Sequence, residues 1–157
     1  MLDRLFGDRR PDPAVAGRVP PGQYLTEKFP VLHYGSVPRI DLATWDFRVY
    51  GEVDGPFRLT WDEFRTLPRK QVTTDIHCVT RWSKLDTHWE GVPIQAILEM
   101  AQVRPFATHV VGHAEQGYTA NVPLKEALAD TALITYRLNG KPFALQHGAP
   151  VRGLVPD

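Results

Sequence analysis

The stretch "KQVTTDIHCVTRWSKLDTHWEGVPI", residues 70–94, carries the only cysteine of a 157-residue chain. Its first ten residues are rich in β-branched side chains, which sit well on a pleated surface. They read as a strand that delivers Cys78 at its exit. Cys78 then stands between His77 and a basic, donor-rich run of Thr80, Arg81, Trp82, Ser83 and Lys84. Such an electropositive edge favours thiolate over thiol, and the thiolate is the form that ligates metals or attacks electrophiles. Free cysteines are also among the most often buried residues, packing as small inert hydrophobes. On these residues alone, buried thiol, nucleophile and metal ligand all stay open.

The rest of the quoted stretch leads into "GVPIQAILEMA", where Pro93 starts a short helix with Ile94, Ile97 and Leu98 on one face. Upstream, Phe47, Val49 and Gly51 alternate with Asp46, Arg48 and Tyr50, as in a half-buried strand. "DGPF" is a turn, and "LTWDEFRTLP" a short helix with Thr60 as N-cap and Glu63 at the capping-box position. Downstream, "ATHVVGHA" and "ALITYRL" read as strands and "VPLKEALAD" as a second short helix started by proline. Asn139-Gly140 is a tight turn. "HGAPVRGLVP" is a Gly/Pro loop running into a final apolar strand. Many short strands with few, short helices predict an α+β domain, mixed and mainly β.

Six of the fourteen prolines lie in the first 39 residues. "RVPPGQYLTEKFPVLHYGSVPR" has no useful period and reads as an extended arm that covers a sheet edge and can lend side chains to a pocket. Eighteen basic side chains balance eighteen acidic ones, so no general charge draws this chain to nucleic acid or to an anionic membrane. No apolar run is long enough to span a bilayer, and no hydrophobic segment follows the double arginine of the N-terminus. One cysteine forms no internal disulfide. A cytoplasmic location is the expectation.

A zinc site fails on spacing. His77 and Cys78 are neighbours on a strand and point to opposite faces. His109 and His113 would stand about 13 Å apart on theirs. Neither CxxC pairs nor HExxH occur. A second constellation is "HGAPVR", residues 147–152, where a loop pinned by Gly148 and Pro150 can set His147 and Arg152 on one side. The planar Arg guanidinium suits phosphate because it donates two parallel hydrogen bonds.

"DIHCVTRWSKLDTHWEGVPI", followed at a distance by "YRLNGKPFALQHGAPVRGLVP", resembles the molybdopterin domain of the sulfite oxidase family. The likeness is to its short, single-domain bacterial branch and runs from about Gln23 to the last residue. It implies a sulfite oxidase-type fold and a molybdenum-molybdopterin cofactor whose protein ligand is the Cys78 thiolate. It further implies that His33, Tyr34, Thr80, His147 and Arg152 help hold the cofactor, and that Arg81 joins Cys78 at the catalytic centre. The expected organisation is a poorly structured arm over residues 1–22 and the molybdopterin-binding domain over 23–157.

Departures from the family bear on substrate. Where sulfite oxidases carry an arginine two residues before the first of these histidines and another five after the cysteine, this chain has Val31 and Ser83. Each lost charge-assisted contact is worth about 1.5–3 kcal/mol. The expectation is two-electron oxygen-atom transfer on a small oxyanion or an S- or N-oxide, with sulfite a poor substrate and an unidentified electron-transfer partner. The family's chain also continues past this end into a basic-aromatic segment and a tyrosine. A C-terminally shortened form is therefore expected, with an incomplete phosphate pocket and apolar surface available for a homo-oligomer. The alternative from another class is a cofactor-free remnant of the domain acting as a binding module.

Overall fold

The structure is a computed structural model that describes residues 13–156. In chain order the strands and helices are β1 (Tyr24–Leu25), β2 (Asp46–Val49), β3 (Phe57–Thr60), α1 (Trp61–Thr66), β4 (Lys70–His77), β5 (Trp82–Pro93) and α2 (Ile94–Ala101). There follow β6 (His109–His113), β7 (Thr119–Pro123), α3 (Leu124–Ala127), β8 (Leu133–Leu138), β9 (Lys141–Pro142) and β10 (Arg152–Leu154). Strands dominate and the helices are short, which is the mixed, mainly β class expected. Among the described residues no helix is long and apolar enough to cross a membrane. The chain divides into two compact units, Met1–Pro30 with Thr73–Thr87, and Val31–Val72 with His88–Asp157. The expected arm over residues 1–22 lies outside the described residues as far as position 12.

In the first unit the arm is not without regular structure. It makes a short 3-10 turn at Ala16–Arg18, and then β1 runs parallel to the start of β5, with Tyr24 opposite Trp82 and Leu25 opposite Ser83. The Tyr24 and Thr26 amides donate to the Arg81 and Ser83 carbonyls at 3.0 and 2.9 Å. The proline-rich segment hid this strand because only two residues pair. Arg18 fixes the arm a second time: its guanidinium donates to the Asp75 carboxylate at 2.6 and 3.0 Å and to Asp86 at 2.7 and 3.3 Å. Trp82 is buried, with the Phe29 ring edge-on at 5.7 Å.

In the second unit β2 and β3 pair antiparallel, with Phe47 opposite Leu59. The chain then enters α1 through the predicted capping box. The Thr60 hydroxyl accepts from the Glu63 amide, and the Glu63 carboxylate accepts from the Thr60 amide. Phe64 on α1 is fully buried and packs with Val92, Ile97 and Tyr136 in one core cluster. The end of β5 pairs antiparallel with β8, slipping by one residue between Glu90 and Gly91. β10 completes this side, with Arg152 opposite Thr135. Ile94, Ile97, Leu98 and Ala101 form the buried face of α2, as its spacing predicts. Pro93 caps the helix and is also the last residue of β5. β6 and β7 make a separate two-stranded ribbon, placing His109 and His113 on a strand as expected.

Candidate functional site

Cys78 lies in the turn between β4 and β5, where Val79 is almost wholly exposed at 95%. Both of its peptide groups are tied down. Its N–H donates to the Trp82 carbonyl at 2.9 Å, and its carbonyl accepts from the Arg81 amide at 2.9 Å. Closing so tight a turn puts Arg81 in the left-handed region, at φ 72°, which a non-glycine residue adopts only where surrounding bonds hold it. The sulfur is half-exposed, and the Thr80 hydroxyl donates to it at 3.1 Å. Cys78, Thr80 and Arg81, read in the sequence as one donor-rich run, thus occupy one turn of the first unit.

A residue that the sequence did not flag also holds this turn. Gln23, just before β1, donates its side-chain amide to the Cys78 carbonyl at 3.1 Å and accepts from the Ser83 hydroxyl at 2.7 Å. The same hydroxyl lies 2.9 Å from His77 Nδ1. A hydroxyl has one proton, and Ser83 gives it to Gln23, so His77 Nδ1 is the donor. Ser83 is fully buried. The Lys84 ammonium donates to the Glu27 carbonyl at 2.6 Å.

In the second unit, His147 ends a 3-10 turn at Leu145–His147, and Gly148 follows at φ 92°. Arg152, at the start of β10, donates to the His147 carbonyl at 3.0 Å and closes the loop. The sequence had suggested this pairing, and the structure brings the two residues together. Arg152 also lies over the rings of Trp89 and Phe143, 5.9 and 5.8 Å from their centroids. Burial pulls the Arg152 pKa below its ordinary value. Burial first, and then the Arg152 charge, lower that of His147. The aromatic flanks had no local signal, since Trp89 lies on β5 and Phe143 in the irregular segment just after β9. His33 and Tyr34 are exposed residues of the same unit. His33 Nδ1 donates to the Gly35 carbonyl at 3.0 Å, and the Tyr34 ring lies 5.5 Å from that of Tyr118. Gln116 ties this segment down by donating to the Ser36 carbonyl at 2.7 Å and to its hydroxyl at 2.9 Å.

Each unit offers donors of a kind that suits molybdopterin: the first a soft sulfur on a fixed turn with a hydroxyl on it, the second a desolvated guanidinium on an aromatic bed. Residues 34–157 match the family described as "Oxidoreductase molybdopterin binding domain". Among curated proteins, "Uncharacterized oxidoreductase YuiH" of Bacillus subtilis (strain 168) is 47% identical over 142 residues, which are 90% of this chain and 72% of that protein. The crystal structure of the sulfane dehydrogenase SoxCD from Paracoccus pantotrophus superposes with a TM-score of 0.71 at 18% identity. That match covers 78% of this chain and 36% of the SoxCD chain, and at such identity it speaks for the fold alone.

Proposed function

This chain belongs to the family of oxidoreductase molybdopterin binding domains, and from that premise we propose that it is a molybdenum-molybdopterin enzyme with Cys78 as its thiolate ligand. The observation that carries the reading is the Cys78 turn, where both peptide groups are anchored and a hydroxyl donates to the sulfur. A bound molybdenum cofactor supplies the two-electron chemistry, here oxygen-atom transfer on an S- or N-oxide or a small oxyanion. The protein's share is binding, orientation and electrostatics. Thr80 donates its hydroxyl hydrogen bond to the Cys78 sulfur and so orients it for ligation. Arg152, desolvated and laid over Trp89 and Phe143, is suited to the anionic end of the pterin, and its donation to the His147 carbonyl holds the loop in shape. His33 and Tyr34 are the arm's contribution to cofactor binding. Arg81, exposed and held in a left-handed turn, is the cation offered to substrate.

The substrate reading follows from what surrounds Cys78. Position 83 holds a buried, hydrogen-bonded serine, and Lys84 is engaged with a backbone carbonyl. Arg81 alone is poorly matched to a dianion such as sulfite, which favours neutral oxides. An electron carrier, not yet identified, completes each turnover.

Metal analysis of protein made in a cofactor-producing host tests the reading. Molybdenum should co-purify, and Cys78→Ser should stay folded while losing thiolate-to-metal absorption and turnover. A serine variant with normal spectrum and activity ends it. Arg152→Ala should lower pterin content more than it lowers the Tm of metal-free protein, and full pterin content in that variant removes Arg152 from the site.

A further inference from the structure

We infer that Gln23 is a positioning residue for the Cys78 thiolate, acting through the Cys78 carbonyl. The inference rests on the reading of Cys78 as the molybdenum ligand and adds to it the group that aims the ligand. Three observations carry it. The Cys78 carbonyl accepts two hydrogen bonds, from the Arg81 amide at 2.9 Å and from Gln23 Nε2 at 3.1 Å, which saturates its lone pairs. The Gln23 amide is itself held at its other end, because Oε1 accepts from the Ser83 hydroxyl at 2.7 Å. Ser83 is fully buried and receives the His77 Nδ1 proton, so the chain His77–Ser83–Gln23–Cys78 runs donor to acceptor without a break.

That directionality fixes the amide orientation. If Gln23 were flipped, its oxygen would face the Cys78 carbonyl oxygen, acceptor against acceptor, and the hydrogen bond to that carbonyl would be lost. The backbone on both sides of Gln23 is fixed as well. Its own amide donates to the Pro20 carbonyl at 3.1 Å, and the next residue, Tyr24, enters the pairing with β5. Gln23 is thereby a rigid strut between the arm and the peptide plane that sets the direction of the Cys78 side chain. Partners of this kind, one bond removed from a ligand, tune its orientation and its reactivity. The buried Ser83 is the strut's footing and is not open to substrate.

The experiment compares the wild-type chain with Gln23→Met, which keeps side-chain length and removes both hydrogen bonds. A second variant, Gln23→Glu, keeps the acceptor for Ser83 and loses the donor to Cys78. Metal-free protein is alkylated with iodoacetamide at one fixed pH, and protein from a cofactor-producing host is read by its thiolate-to-molybdenum absorption. Both variants should alkylate Cys78 roughly threefold to tenfold faster than wild type, the range that losing one hydrogen bond on a fixed turn yields. The absorption band should move in both, with Tm little changed. Wild-type rates in both variants overturn the inference. Loss of the folded state in both overturns it too, because Gln23 would then determine the fold and not the aim of one thiol. If Gln23→Met alone fails to fold, Gln23→Glu decides. Wild-type protein that lacks molybdenum sinks the ligand reading only, and the alkylation rates still judge the strut.

Discussion

Ser83 stands where sulfite oxidases carry an arginine, and its surroundings say what that exchange entails. The hydroxyl donates to Gln23 and accepts from His77, and the residue has no exposed surface. A guanidinium at this position has no room in the wall between β1 and β5 and would strip Gln23 of its donor. Restoring the arginine therefore should not restore the family's sulfite chemistry. Ser83→Arg is expected to lose about 2–3 kcal/mol of stability through overpacking and to gain no sulfite turnover. Denaturant melts and steady-state kinetics on sulfite against a panel of sulfoxides and N-oxides check both halves. In wild-type protein the oxides should be turned over faster, and sulfite outrunning every oxide would mean that Arg81 suffices for a dianion.

At the scale of elements, the junction of β5 with β8 is the least forgiving part of the second unit. Where the register slips, Gly91 lies so close to β8 that an added Cβ would stand 2.6 Å from the Thr135 Cα and against the Ile134 carbonyl oxygen. All of those atoms are backbone, so neither partner can swing away. Gly91→Ala should cost about 3 kcal/mol, at the upper end for overpacking, and a shift in Tm under about 1 °C would show that the slip is plastic. β5 itself was not legible as a strand. Its interior positions include Ser83, Thr87 and Glu90, all buried, so the apolar alternation that betrays a strand is missing. Glu90 is tolerated inside because Gln71 donates to it at 3.1 Å and Arg137 at 3.4 Å. The start of α1 was legible to the residue because its signal is local, a capping box at Thr60 and Glu63. β3 and β7 escaped for another reason: their pairing partners lie on neighbouring strands and leave little trace within four or five residues. Sequence shows an element when the forces that make it are local, and these strands are made by their neighbours.

Over the whole molecule, the candidate residues were nominated by two motifs, around Cys78 and around His147, that occur in the order and spacing of a known family. What holds those residues could not be read, since Gln23 and Trp89 act from far away in sequence and Phe143 from an irregular segment with no pattern of its own. Electrostatics is likewise a property of the folded ensemble, and it sets how stability depends on pH. Hydrogen bonds from Arg18 lower the pKa of Asp75, those from Arg48 lower that of Asp46, and the Thr60 amide and hydroxyl lower that of Glu63. Burial alone would raise Glu90, but Gln71, Arg137 and Arg69 outweigh it and the net shift is downward. Each of these groups binds its proton less readily folded than unfolded, so the unfolded chain takes up more protons between the two values. Their contribution is complete above the ordinary carboxylate range and is lost as pH falls through the depressed folded values. His147 has the same sign from the opposite charge type. Burial and Arg152 hold it below its ordinary 6.5, so its neutral form stabilises the fold above that pH and the benefit fades as pH drops beneath it. Urea midpoints measured on metal-free protein should therefore be flat near neutrality, decline gently below about pH 6.5, and fall steeply only once the carboxylates begin to protonate. His147→Gln should remove the gentle upper decline and leave the steep one in place. A variant that keeps the upper decline assigns it to another histidine, and with it goes the claim that Arg152 and burial together hold His147 neutral.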